Sequence, residues 1–173
     1  RVRASGRGRA GHPARRPAPH EAFRRRLREL NRTLASKGLR VIPVKRTESK
    51  AWVYVYRPSR LKRDLDNSLA REILEKSGYG CSAPGRCIAS LISRMRSGES
   101  FPHEIGLFLG YPPEDVRGFI EKGASGCKCS GCWKVYGNTQ QAMTTFGRYR
   151  KCAALYLEQW KKGKSVEQLT VAV

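Results

Sequence analysis

Three cysteines fall within six residues, Cys127-x-Cys129-x-x-Cys132, on a glycine-punctuated stretch. Thiolates are favoured zinc ligands, and structural zinc is held in tetrahedral sets of four. The fourth donor would be Cys152, Cys81, Cys87 or His103. A zinc ribbon supplies two separated Cys-x-x-Cys knuckles and only one is present, so the competing reading makes Cys129 and Cys132 small buried apolar residues. Upstream, His103-Glu104 follows Pro102 at a helix start. There a histidine can serve as base or ligand and a carboxylate can orient a substrate or water. The simpler role for Glu104 is to complement the helix dipole, worth about 0.3 to 1 kcal/mol. Adjacent helical residues do not face each other, so the two are not expected to form a dyad.

Trp52, Tyr54 and Tyr56 alternate along a short β-branched run beside Arg57 and Arg60. Such a row can stack bases while arginines meet phosphate. Val53 and Val55 make the opposite face apolar as well, which predicts a strand buried on both sides. The segment from Gly78 to Gly85 lacks the Gly-Lys-Ser/Thr ending that cradles phosphates, and no Gly-x-Ser-x-Gly elbow occurs.

The elements that must position these groups are legible from periodicity. Phe23, Leu27, Leu30 and Leu34 recur at helical spacing and stop at Lys37-Gly38. Residues 39–46 and 51–57 read as a β-hairpin turning through Thr47 to Lys50, with Pro43 marking an edge or bulge. Helices are expected after Pro58, after Asp66 or Asn67, and after Pro84, Pro102 and Pro113. Residues 132–136 read as a strand, and Asn138 caps a long helix. In that helix Ala142, Phe146, Tyr149, Ala153, Tyr156 and Trp160 form one stripe expected to face the core. Early strands followed by helices indicate a single α+β domain with an early β-hairpin, several short helices and a long C-terminal amphipathic helix.

The 173 residues carry a formal net charge of +21. Six arginines stand in residues 1–20, which contain no acid, yet the remainder is basic too. That balance favours polyanion partners and raises nucleic-acid binding as an alternative function. No apolar run approaches the roughly 18 residues of a membrane span, and the start lacks a signal-peptide core. A cytoplasmic protein is therefore expected, with its six cysteines as free thiols, metal ligands or redox groups rather than three disulfides. Residues 1–20, nearly all Arg, Ala, Gly and Pro, are expected to be a disordered tail preceding a globular domain over 21–173.

The run FPHEIGLFLGYPPEDV at 101–116, the CxGxW-KVYG pattern around Cys129 to Gly137 and the closing LTVA resemble the bacterial domain of unknown function family 3793, over about residues 21–173. The family pattern has a cysteine at Cys129 and often an aromatic at Cys132, which favours the apolar reading of that loop. Relatives encoded beside flavodoxins and iron-transport genes imply an iron or redox accessory role. Its partner would be a flavodoxin-like or iron-handling protein, and its small-molecule, thiol or metal site would lie near His103, Glu104 and Cys129. The family opening, Cys-Ala-Pro-Thr-Leu-Ala-Gly, is replaced here by the arginine-rich tail. Codons available to Arg1–Gly8, read one nucleotide later, permit Cys-Ala-Pro. The tail is thus expected to be a frameshifted translation, and a thiol-dependent activity using that cysteine with His103 as base would be absent. If Cys127, Cys129, Cys132 and Cys152 hold zinc or iron, protein purified without added metal should carry it. No metal above background, with these four thiols reactive to a thiol reagent, would exclude that site.

Overall fold

A computed structural model describes residues 19–80, 83–98 and 100–172. Most of the arginine-rich tail and its proposed change of frame, together with Cys81, lie outside the described residues. Helix α1 (Pro19–Ala35) opens with Glu21 in its first turn and sinks Leu34 into the protein. It ends where Gly38 takes a left-handed φ of 74°, the conformation that costs glycine least. Asn31 then ties the helix to the outer edge of the next strand: its amide donates to the Val41 carbonyl at 2.5 Å, and its Oδ1 accepts from the Val41 N–H at 2.8 Å.

Strands β1 (Arg40–Arg46) and β2 (Ala51–Tyr56) form the expected antiparallel hairpin. Its turn is closed by the Thr47 N–H to the Lys50 carbonyl at 2.8 Å. The register skips between Pro43 and Lys45, because proline has no N–H to give the ladder. The bulge turns Val44 into the core, and Arg96 donates to its carbonyl at 2.8 Å.

One expectation fails here. Tyr54 alone of β2 is buried, while Trp52, Val53 and Val55 are exposed. A two-stranded sheet has few neighbours to cover it: Tyr54 packs into the main core, while on the opposite face α1 meets β1, at Val41 through Asn31 and at Arg46 through Phe23.

Prolines start three of the helices that follow, α2 (Pro58–Leu65), α4 (Pro84–Ser97) and α6 (Pro113–Lys122). Between them, α3 (Ser68–Lys76) is capped by Asn67, whose Oδ1 accepts from Leu69 N at 3.0 Å and Ala70 N at 3.2 Å. The four-residue α5 (Ile105–Phe108) follows Pro102 and His103. These helices close one core around Leu61, Ile73, Tyr79, Leu91, Leu107 and Phe108.

A second, smaller core forms where β3 (Cys129–Ser130) and β4 (Lys134–Val135) pair beneath α7 (Thr139–Lys161). It contains Trp133, Val135, Ala142 and Phe146, and Tyr111 packs against both cores. Asn138 caps α7 as expected, accepting from Gln141 N at 3.0 Å.

The stripe along α7 departs from expectation. Ala142 and Phe146 are buried, but Tyr149, Tyr156 and Trp160 are 42%, 45% and 55% exposed. The small hairpin offers a packing surface for only the first turns of the helix. Beyond them α7 runs along the body to α8 (Val166–Leu169), which is held by a Ser165–Gln168 capping box. Lys37 Nζ donates to the Glu167 and Thr170 carbonyls at 2.5 and 2.9 Å, and Arg57 donates to the Val171 carbonyl at 2.5 Å. No helix among the described residues is long and apolar enough to cross a membrane.

Two tyrosine hydroxyls seal the main core, Tyr54 donating to the Phe108 carbonyl at 2.5 Å and Tyr79 to Glu104 Oε1 at 2.9 Å. Burial, followed by neighbouring acidic groups, pushes both phenols well above their ordinary 10.0. Because the folded values are raised, the stability they contribute is complete below pH 10.0 and is lost as pH rises through the folded values. Urea midpoints should therefore fall above pH about 10. Tyr54→Phe should soften that fall while costing about 1 kcal/mol at neutral pH.

Candidate functional site

His103 and Glu104 leave the chain in opposite directions. Glu104 is 6% exposed and faces the main core, accepting from Tyr79 and standing 3.6 Å from Arg94 Nη1. The Arg94 guanidinium also lies 4.7 Å over the Tyr79 ring and donates to the Ser77 carbonyl. Every partner of the Glu104 carboxylate is thus internal, and it braces α3, α4 and α5 together.

His103 lies on the outer side. Its ring meets Phe119 edge-on with centroids 4.9 Å apart, and Phe101 stands 6.1 Å away. Across from them Tyr111 stacks on Trp133 at 5.0 Å. These five rings border a cavity of about 330 Å³ whose floor is Ile105, Gly106 and Val116. A Cβ on Gly106 would stand 2.8 Å from Val116 Cγ2 and 3.1 Å from Tyr111 Cδ2. The missing side chain is what lets α5 approach α6 and keeps the floor flat.

Asp115 holds this wall in place. Buried at 3% exposure, it accepts from the Trp133 indole at 2.7 Å, from Tyr136 N at 2.7 Å and from Gly137 N at 2.8 Å. Its oxygens are spent on these donors, leaving Lys134 and the tip of His103 as the polar groups at the cavity. Among the described residues Lys134 has no carboxylate partner.

The sequence pointed to His103 and not to Asp115. The available signal was Trp133, since a buried indole N–H needs an acceptor. Phe119, Tyr111 and Trp133 carried no site signal, being aromatic residues at ordinary core spacing.

The four thiols Cys127, Cys129, Cys132 and Cys152 are free but not gathered. Among the described residues no group of three or more His, Cys, Asp or Glu side chains is placed to hold a metal ion. Cys129 is half-buried on β3 against the Trp133 cluster, whereas Cys132 sits exposed near the hairpin turn. Cys152 is exposed on α7, six residues beyond Phe146 and so roughly 9 Å farther along the helix. Cys87, considered as a fourth ligand, is disulfide-bonded. Two-residue strands fix Cys129 inward, and the long helix carries Cys152 away, so the local spacing does not become a ligand set.

Asp115→Ala should cost about 3 kcal/mol or more, because three buried donors lose a charged acceptor. Urea denaturation followed at Trp133 would measure it. Asp115→Asn, which keeps one acceptor oxygen, should recover only part of the loss.

The family model described as Protein of unknown function (DUF3793) matches residues 13–170. No curated protein and no solved structure matches the chain.

Proposed function

Because the chain belongs to the DUF3793 family, whose description names no activity, we propose a function from the geometry of its site: binding of a small, planar, largely apolar molecule that carries an anionic group. The carrying observation is the cavity of about 330 Å³ bordered by Phe101, His103, Tyr111, Phe119 and Trp133. Small-molecule sites are concave, mostly apolar and furnished with a few placed polar groups. Aromatic walls favour a flat ligand, by offset stacking and edge contacts. The Lys134 ammonium, unpaired within the described residues, supplies the charge that favours an acid. His103 stands where it can donate to or accept from the ligand edge. An iron or redox accessory role fits this reading if the ligand is a planar redox-active or metal-chelating acid. The Cys127–Cys132 loop then acts as scaffold for Trp133 and Lys134.

Titration with 2-naphthoate tests this directly. The chain has three histidines, so the His103 ring resonance can be assigned with His103→Gln. Saturable movement of that resonance is expected, with weaker binding of neutral 2-naphthol and loss of that preference in Lys134→Gln. Absence of a saturable shift with either compound at millimolar concentration would overturn the reading.

A further inference from the structure

We propose that the groove beneath α7 binds single-stranded nucleic acid. Three cavities of about 270, 270 and 320 Å³ follow one another along that helix. The first shares Arg60, Gly110 and Tyr149 with the second, and the second shares Leu39 and Arg57 with the third. They therefore form one channel between α7, α2 and the end of β2.

Aromatic rings mark its length. Tyr149 and Tyr156 line it at 42% and 45% exposure, and Trp160 follows at 55%. At helical rise Tyr149 and Tyr156 are separated by roughly 10 Å, and Trp160 lies about 6 Å farther on. Cations accompany them. Arg57 and Arg60 stand on one wall and Arg148 on the other, with the carboxylates of Asp64, Glu114 and Asp115 in the same lining, while Arg150 and Lys161 lie beside the ring-bearing face of α7 and Lys151 and Lys162 toward its back. Arg60 and Lys162 have acid partners, Asp64 at 3.6 Å and Glu158 at 2.5 Å, whereas Arg148 has none among the described residues.

Rings on which successive bases stack, with cations between them to meet the phosphates, are the general solution for single strands, and here the rings carry the argument, with Arg148 as the cation that has no acid partner among the described residues. Alternative occupants fit less well. A second copy would set one basic helix against another. A duplex keeps its base faces stacked internally and so offers nothing to the rings. The hairpin row Trp52, Tyr54 and Tyr56 is not the platform, because Tyr54 is buried. This inference does not rest on the aromatic cavity at His103.

Fluorescence anisotropy of the full chain with labelled oligo(dT) and oligo(U) of about 12 nucleotides tests it. Both should bind more tightly than a duplex of equal length, and the tighter of the two assigns DNA or RNA as the physiological strand. The combined variant Tyr149→Ser, Tyr156→Ser and Trp160→Ser, checked for folding by circular dichroism, should lose about ten-fold or more in affinity. Arg148→Ala should reduce the slope of log K against log salt by about 0.7. No binding of either strand, or equal binding of the duplex, would overturn the proposal. So would unchanged affinity in the triple variant, which would place the binding on the arginine-rich residues 1–18. Displacement of the strand by polyglutamate of equal charge would instead assign the groove to acidic peptides.

Discussion

The Asp115 carboxylate is the point from which the second half of the molecule is hung. A charge removed from water is costly unless donors replace its hydration. Here an indole N–H and two backbone N–H groups converge on it, and all three belong to the segment Trp133–Gly137. The residue also lies in the first turn of α6, where the helix dipole favours a negative charge. A two-residue ladder such as β3–β4 is too short to be stable alone. It persists because Asp115 fixes its outgoing strand and Trp133 drops its indole between Tyr111 and Phe146.

Close packing around that anchor leaves little freedom. Tyr136 lies against Gly118 and Phe146 against Gly131, in each case where a methyl group would overlap the ring. Phe146 in turn determines where α7 departs from the body. Trp133 and Asp115 border the aromatic cavity on one side and the groove beneath α7 on the other. The two concavities therefore share a wall whose position is set by hydrogen bonds to a single carboxylate.

Features decided by local chemistry were legible in the sequence. Proline at the first helical turn, Asn67 and Asn138 as caps, the hairpin turn at Thr47 and the bulge at Pro43 each follow from one residue's backbone requirements. The divergence of His103 and Glu104 followed from helical geometry in the same way. Features decided by what lies opposite were not legible. The α7 stripe has the spacing of a core face along its whole length, yet a periodic pattern carries no information about where the opposing surface ends. The same holds for β2, whose apolar faces are alike in sequence and differ only in what covers them. Cys127, Cys129 and Cys132 show the converse: closeness along the chain does not give a shared direction, and among the described residues they form no ligand set.

Helix α7 is supported like a beam at two places. Its first turns are clamped by Trp133 and Phe146, and its far end is tied through α8 by Lys37 and Arg57 to the end of α1 and the start of α2. The clearance beneath the span is set by the spacing of those two supports, not by the bulk of side chains between them. The groove's width is therefore a property of the frame, and evolution could exchange the rings lining it without rebuilding the molecule around them.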